Sequence, residues 1–226
     1  MKKIVLAYSG GLDTSIILKW LQENYDAEII AYTANIGQVI NKKKIIQNAK
    51  RLGVKKVIIE DLKNTFVKDY VFPMIRGHAL YEGIYMLGTS IARPLIGKRQ
   101  IEIAKKYKAF AVSHGATGKG NDQVRFELAY AYFGKKIKVI APWREWKLQS
   151  RTDLINYAKK NKIPIPKDKK GAPPFSVDDN IFHTSTEGKI LENPKNSAPE
   201  FIFQRTKALE KTPNKASIVK IDFKNG

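Results

Sequence analysis

Near the N-terminus, Ser9-Gly10-Gly11-Leu12-Asp13-Thr14-Ser15 sets two glycines among three hydroxyls and a carboxylate. The run follows the apolar residues 4–8 (IVLAY) and precedes Ile16, Ile17, Trp20 and Leu21 at helical spacing. A strand, a tight loop and a helix are predicted, which is an arrangement suited to an anion. Glycine lets the backbone approach a ligand and take positive φ, so that successive N–H groups converge at a helix N-terminus, where the dipole favours negative charge. Ser9, Thr14 and Ser15 add donors. A carboxylate would be misplaced against phosphate, so Asp13 is expected to cap the helix or to act through bound Mg²⁺. A plain βα turn would also use a Gly-Gly pair, and the residue types alone leave that reading open.

A second chemical segment runs Ser113-His114-Gly115-Ala116-Thr117-Gly118-Lys119-Gly120-Asn121-Asp122-Gln123-Val124-Arg125. A loop so rich in glycine and polar side chains is costly to order unless a ligand or partner orders it. Thr117, Asn121 and Asp122 are suited to an amino acid's ammonium and carboxylate, and Lys119 and Arg125 to neutralising phosphate or carboxylate. His114 is assigned a structural or ligand-orienting role ahead of proton transfer, and His78 and His183 are read as ordinary residues.

The elements that must position these segments alternate. Strands are predicted at residues 4–8, 28–34, 55–60, 109–113 and 137–141, with helices from Asp13, over 41–52 and over 151–161. A mainly helical stretch covers 62–106, interrupted at Pro73 and at Leu87-Gly88-Thr89-Ser90. Alternation of this kind indicates βαβ units and a parallel sheet with ligands at the carboxyl ends of its strands, and polar loops at 9–13, 34–38 and 113–122 fall there. Pro164, Pro166, Pro173 and Pro174 mark a boundary near 165, dividing a first domain at 1–165 from a region at 166–226. In the second region only residues 217–223 (SIVKIDF) alternate like an edge strand, so the tail is expected to lean on the first domain or on a missing partner.

Composition narrows the classes. The chain has 226 residues and no cysteine, which excludes disulfides, zinc thiolates and thiol nucleophiles, and makes the cytoplasm the expected compartment. No apolar run approaches the ~20 residues of a membrane span, so no membrane role is expected. The net charge of +20 invites a polyanion partner, but only eight of the 41 basic residues are Arg and the lysines are dispersed, which favours a solvated surface over nucleic acid.

The first motif resembles the pyrophosphate loop of the N-type ATP pyrophosphatases, and it differs from both GxGxxG and GxxxxGK[ST]. Together with the 113–125 segment, Ala34-Asn35-Ile36-Gly37-Gln38, Ala79-Leu80-Tyr81-Glu82, Gly88-Thr89-Ser90 with Ala92-Arg93-Pro94, Ala141-Pro142-Trp143-Arg144 and Ile190-Leu191-Glu192-Asn193-Pro194, it resembles the argininosuccinate synthase family from residue 4 to the end. The resemblance implies a Rossmann-like parallel sheet with flanking helices, of the adenine nucleotide alpha hydrolase-like type, followed by an incomplete second domain. It implies ATP-dependent joining of citrulline to aspartate through a citrullyl-adenylate, giving argininosuccinate, AMP and pyrophosphate. By motif, ATP would be held by Ala7, Tyr8, Ser9, Gly10, Gly11, Leu12, Asp13, Thr14, Ser15, Ala34 and Gly115. Citrulline would be held by Tyr85, Ser90, Asn121, Arg125, Ser176 and Ser185, and aspartate by Thr117, Asn121 and Asp122. No covalent catalytic residue and no protein metal site are implied, with Mg²⁺ carried by the ATP phosphates.

The sequence departs from that family in length, members being nearly twice as long, and a separately encoded C-terminal half or a fragment would each account for this. The absent part would add citrulline contacts and the helix that builds a homotetramer. Gly83-Ile84 and Asn41-Lys42-Lys43-Lys44 replace more strongly charged and more acidic segments respectively. A stand-alone adenylating domain and an inactive ATP-binding fragment remain as alternatives.

Overall fold

A computed structural model describes residues 2–118, 120–148, 150–165 and 175–224. Its centre is a parallel sheet of β1 (Lys2–Ala7), β2 (Ala27–Asn35), β3 (Lys56–Asp61), β4 (Ala111–Ser113) and β5 (Lys138–Ile140), in the order β3-β2-β1-β4-β5. The chain winds outward from β1 through β2 to β3, returns through a long helix, and continues on the other side of β1. The reversal between β1 and β4 is the topological switch point, where the loops after neighbouring strands part and leave a crevice.

Alternation along the strands divides the core into two layers. Ile4 and Leu6 of β1 and Ile29 and Ala31 of β2 pack against α1 (Leu12–Tyr25), α2 (Lys42–Arg51) and α8 (Arg151–Lys160). Val5, Ile30, Tyr32 and Val112 face the opposite way, toward α5 (Gly88–Lys106) and α6 (Asn121–Phe133). These strands are covered on both faces, which is why they read as near-continuous apolar runs.

Gln100, fully buried on α5, fixes the switch point. Its Nε2 donates to the carbonyls of Val5 (2.9 Å) and Ser113 (2.7 Å), and its Oε1 accepts from Tyr130 Oη at 2.7 Å. One amide thus joins β1, β4, α5 and α6 with its polar atoms satisfied, as a buried amide requires.

The helical stretch after β3 departs from expectation. Pro73 does not interrupt it: α3 (Lys63–Phe66) passes through a π-turn at Val67–Val71 into α4 (Phe72–Arg76), with Pro73 in the first turn of α4. The π-turn reorganises the backbone bonding just before Pro73, whose ring carries no N–H to satisfy. The interruption instead spans residues 77–87, and helix resumes at Gly88 as α5; α7 (Pro142–Glu145) lies later in the chain, after β5.

In the second region the structure holds an antiparallel hairpin, β6 (Ser176–Asp179) with β7 (Thr184–Glu187), that periodicity did not reveal. The expected edge strand at 217–223 is absent. Those residues form no strand, and Ile218 (99% exposed) and Phe223 (83%) face solvent, so they have neither a ladder nor a covered face to hold them extended. The proline-rich boundary at 166–174 lies outside the described residues.

Candidate functional site

A cleft of about 510 Å³ opens at the switch point. One wall is the loop after β1. Gly10 has φ +79, and a Cβ there would meet Ile45 Cγ1 of α2 at 3.0 Å, so position 10 needs glycine on both conformational and steric grounds. Gly11 is extended (φ −78, ψ 178) and is the N-cap of α1 without a side-chain cap bond. Asp13 is not the N-cap residue itself; it lies within the first turn and lines the cleft. The opening N–H groups of α1 have no acceptor in a preceding helical turn, which makes this end of the helix favourable to negative charge.

Hydroxyl contacts stiffen this loop. Ser9 Oγ lies 3.0 Å from Thr14 Oγ1, Gly11 N donates to Ser9 Oγ at 3.3 Å, and Thr33 Oγ1 donates to Tyr8 O at 2.5 Å. The side chains of Tyr8 and Ser15 are buried, with their hydroxyls 3.2 Å apart. Ala7, Tyr8, Ser9, Gly11, Leu12, Asp13 and Thr14 line the cleft together with Ala34 and Gly115, and Gly115 packs beside Thr14, where a Cβ would lie 3.3 Å from the Thr14 methyl. Gly10 and Ser15 do not line it; one shapes the turn and the other packs beneath it.

The second wall is the glycine-rich segment after β4. His114 is fully buried, its Nδ1 accepts from Ala116 N (3.2 Å), and its Nε2–H donates to Glu127 Oε1 (3.3 Å). The ring stacks on Phe126 at 5.3 Å, and burial holds the imidazole below its ordinary pKa in spite of Glu127. Both nitrogens are thus spent on the scaffold, and His114 ties the start of the glycine segment to α6. Arg144 Nη1 reaches Glu127 at 2.6 Å and Gln123 Oε1 at 2.9 Å, holding the far end.

Asp122, in the first turn of α6, lines the cleft and accepts from Arg125 Nη1 at 2.8 Å. Asn121 opens α6, and Thr117 is exposed on the loop before it. Lys119 lies outside the described residues.

The hairpin completes the cleft. Ser176 lines it, and in the β6–β7 register Asp178 stands opposite Ser185, which places Ser176, Asp178 and Ser185 on one face. That face meets Arg93, a residue sequence reasoning quoted but gave no role. Arg93 Nε donates to Asp122 Oδ2 (2.8 Å), its Nη2 to Asp178 Oδ1 (3.1 Å), and its guanidinium lies 5.8 Å from the Phe126 ring centroid. Desolvation works against the charge, but the two carboxylates outweigh it and raise the Arg93 pKa. The available signal was Pro94, inside α5, which removes the N–H that would otherwise bond the Ser90 carbonyl.

Tyr85 and Ser90 stand at the N-terminal end of α5 rather than in the cleft lining. Ser90 Oγ is buried without a hydrogen-bond partner among the described residues. The structure thus brings the proposed ATP residues, Gly10 and Ser15 apart, together with Asp122 and Ser176 in one crevice, and sets Ser90 one helical turn before Arg93.

Residues 3–164 match the family profile described as Arginosuccinate synthase N-terminal HUP domain, and residues 175–226 match Arginosuccinate synthase C-terminal domain. The chain belongs to the argininosuccinate synthase family. It is 81% identical over 225 residues to the argininosuccinate synthase of Pelagibacter ubique and 58% identical over 226 residues to that of Parvibaculum lavamentivorans, covering 100% of this chain in each case. It spans 57% and 55% of those two proteins, about half the length of the curated relatives it matches. Among solved structures, the U34-tRNA thiolase NcsA from Methanococcus maripaludis superposes with a TM-score of 0.47 at 15% identity, covering 74% of this chain and 59% of that one. Among the described residues no helix is long and apolar enough to cross a membrane, and no group of His, Asp and Glu is arranged to hold a metal ion.

Proposed function

We propose that this chain carries the ATP-binding and adenylating portion of an argininosuccinate synthase. The observation that carries the reading is convergence: the glycine turn after β1, the glycine-rich segment after β4 and the hairpin serine meet in one cleft at the switch point. The triphosphate lies along residues 8–15 against the N-terminus of α1, with Ala34 and Gly115 flanking the adenosine. Citrulline extends from Tyr85 and Ser90 past Arg125 toward Ser176 and Ser185, and aspartate is gripped by Thr117, Asn121 and Asp122.

In the first step the ureido oxygen of citrulline attacks the α-phosphorus and the bond to the β-phosphate oxygen breaks, releasing pyrophosphate. In the second the aspartate amine attacks the ureido carbon, the bond to the adenylate oxygen breaks, and AMP leaves as the attacking nitrogen loses its proton. Both steps call for alignment and charge stabilisation, which the site supplies without a covalent nucleophile. Mg²⁺ would arrive on the ATP phosphates and neutralise their charge, and Asp13 is the lining carboxylate that could hold it. The same reading places the protein in the cytoplasm, as part of a homotetramer completed by the remaining family C-terminal residues.

Pyrophosphate release from Mg-ATP, with and without citrulline and with a C-terminal half added, tests the proposal. Citrulline-dependent release establishes adenylation. Release that ignores citrulline supports instead a stand-alone domain adenylating another substrate, and no release under any condition, despite ATP binding, overturns it.

A further inference from the structure

His183 lies on the same hairpin face as Asp178 and Ser185, near the turn, and is packed onto the first turn of α5. A Cβ added to Gly88 would come 2.8 Å from His183 Cγ and 2.9 Å from Cδ2, so the ring lies directly on that backbone. Asn180, 2% exposed, holds it there. Asn180 Oδ1 accepts from His183 N (3.1 Å), Asn180 N donates to His183 O (3.0 Å), and Asn180 Nδ2 donates to Gly88 O (3.2 Å). On its other side the ring meets Tyr85, with Nε2 3.3 Å from Tyr85 Oη and the ring centroids 5.6 Å apart.

The direction of that bond follows from the other nitrogen. His183 Nδ1 is buried and has no partner among the described residues. A proton on Nδ1 would leave a buried N–H without an acceptor, whereas a proton on Nε2 leaves only an unused lone pair, the less costly arrangement. Nε2–H therefore donates to Tyr85 Oη. With one acceptor position of the phenol filled, its own O–H is left to donate outward.

We propose that His183 is a positioning residue that makes Tyr85 a hydrogen-bond donor to the substrate, selecting a ligand with an acceptor oxygen at that point. This rests on the proposed function, in which Tyr85 faces citrulline, whose carboxylate and ureido oxygens are such acceptors.

The test is calorimetric titration of citrulline into the chain saturated with α,β-methylene-ATP, for the parent, His183→Gln, His183→Asn, His183→Leu, Tyr85→Phe and the His183→Leu/Tyr85→Phe double variant. Glutamine sets an amide N–H near the place of Nε2, whereas asparagine reaches only the place of Nδ1. The expected result is parental citrulline affinity within about threefold for glutamine and loss of about tenfold for asparagine and leucine, with affinity for the ATP analogue unchanged throughout. In the Tyr85→Phe background the leucine substitution should add nothing. Parental affinity in His183→Leu, or equal loss with glutamine and leucine, overturns the inference and leaves the proposed function standing. Loss of ATP-analogue affinity together with citrulline affinity assigns His183 to folding alone and likewise overturns it. A parent chain that binds the ATP analogue but not citrulline overturns the citrulline reading, and this inference with it.

Discussion

The sheet with its hairpin and the residues beyond the hairpin differ in how their apolar side chains are used. In the first, Ile4, Leu6, Ile17 and Phe66 are fully buried, and the buried polar side chains of Gln100 and His114 have their hydrogen-bonding atoms partnered. From residue 188 onward the chain forms short 3-10 turns at Lys189–Glu192, Glu200–Ile202 and Leu209–Lys211, and Leu209, Ile218 and Phe223 face solvent. Hydrophobic residues alone do not make a fold; they need an element of the right period and a second surface to cover them. The hairpin sits between these regimes. It has little core of its own and holds its place through specific bonds: Ile181 N to Ile36 O (2.8 Å), Asn180 to Gly88 O, and Arg93 to Asp178. Gly37 (φ +109) admits this docking, because a Cβ there would lie 2.5 Å from Ile181 N.

The contrast can be broken most strongly at the cleft. Gly10→Val forces a β-branched residue to φ +79 against Ile45, and the loop must strain or abandon its geometry. ATP-analogue affinity should fall about 30-fold or more, while circular dichroism stays parental. Gly11→Ala, in extended backbone, should cost much less, and equal losses at the two positions would refute the assigned turn geometry.

Next comes the link between sheet and hairpin. Arg93→Leu leaves Asp122 and Asp178 without their shared cation, and should lower stability by about 2–3 kcal/mol and open the hairpin to limited proteolysis. An unchanged cleavage pattern would show that the hairpin is held by its backbone bonds alone.

A smaller effect concerns His114. Its folded pKa lies below the ordinary 6.5, so the unfolded chain binds the extra proton first as pH falls. Stability should therefore be fully present above pH ~6.5 and decline below it until the folded pKa is reached, with a slope of at most ~1.4 kcal/mol per pH unit. His114→Gln should flatten that segment of the stability–pH curve. A slope that survives the substitution assigns the effect to other groups.

The smallest effect is expected at the tail. A chain ending at Glu187 loses the Arg205 bonds to Asp179 and the Asn180 carbonyl but little buried surface, and should melt within about 4 °C of the parent. A large drop would mean that residues 188–226 contribute to the core, and would dissolve the contrast.

The parallel sheet, the anion loop at residues 9–13 and the glycine-rich segment at 113–125 were legible because their determinants are local. Apolar runs with glycine punctuation need only neighbours in sequence to declare a strand and a turn. Which strands flank β1, and hence that the loops after β1 and β4 share a crevice, depends on the return of α5 across the sheet, and a one-dimensional pattern does not encode it. The same holds for the hairpin. Ser-Val-Asp-Asp and Thr-Ser-Thr-Glu have no apolar alternation, because bonds to Ile36, Gly88 and Arg93 hold them rather than a buried face. The alternation at 217–223 shows the converse, a correct pattern without a partner surface. Sequence alone determined the strands of the parallel sheet, their order along the chain and the glycine turn after β1. The tertiary structure decided which distant side chains meet, Arg93 with Asp122 and Asp178, Asn180 with Gly88 and His183 with Tyr85, because only packing converts separation along the chain into distances of about 3 Å.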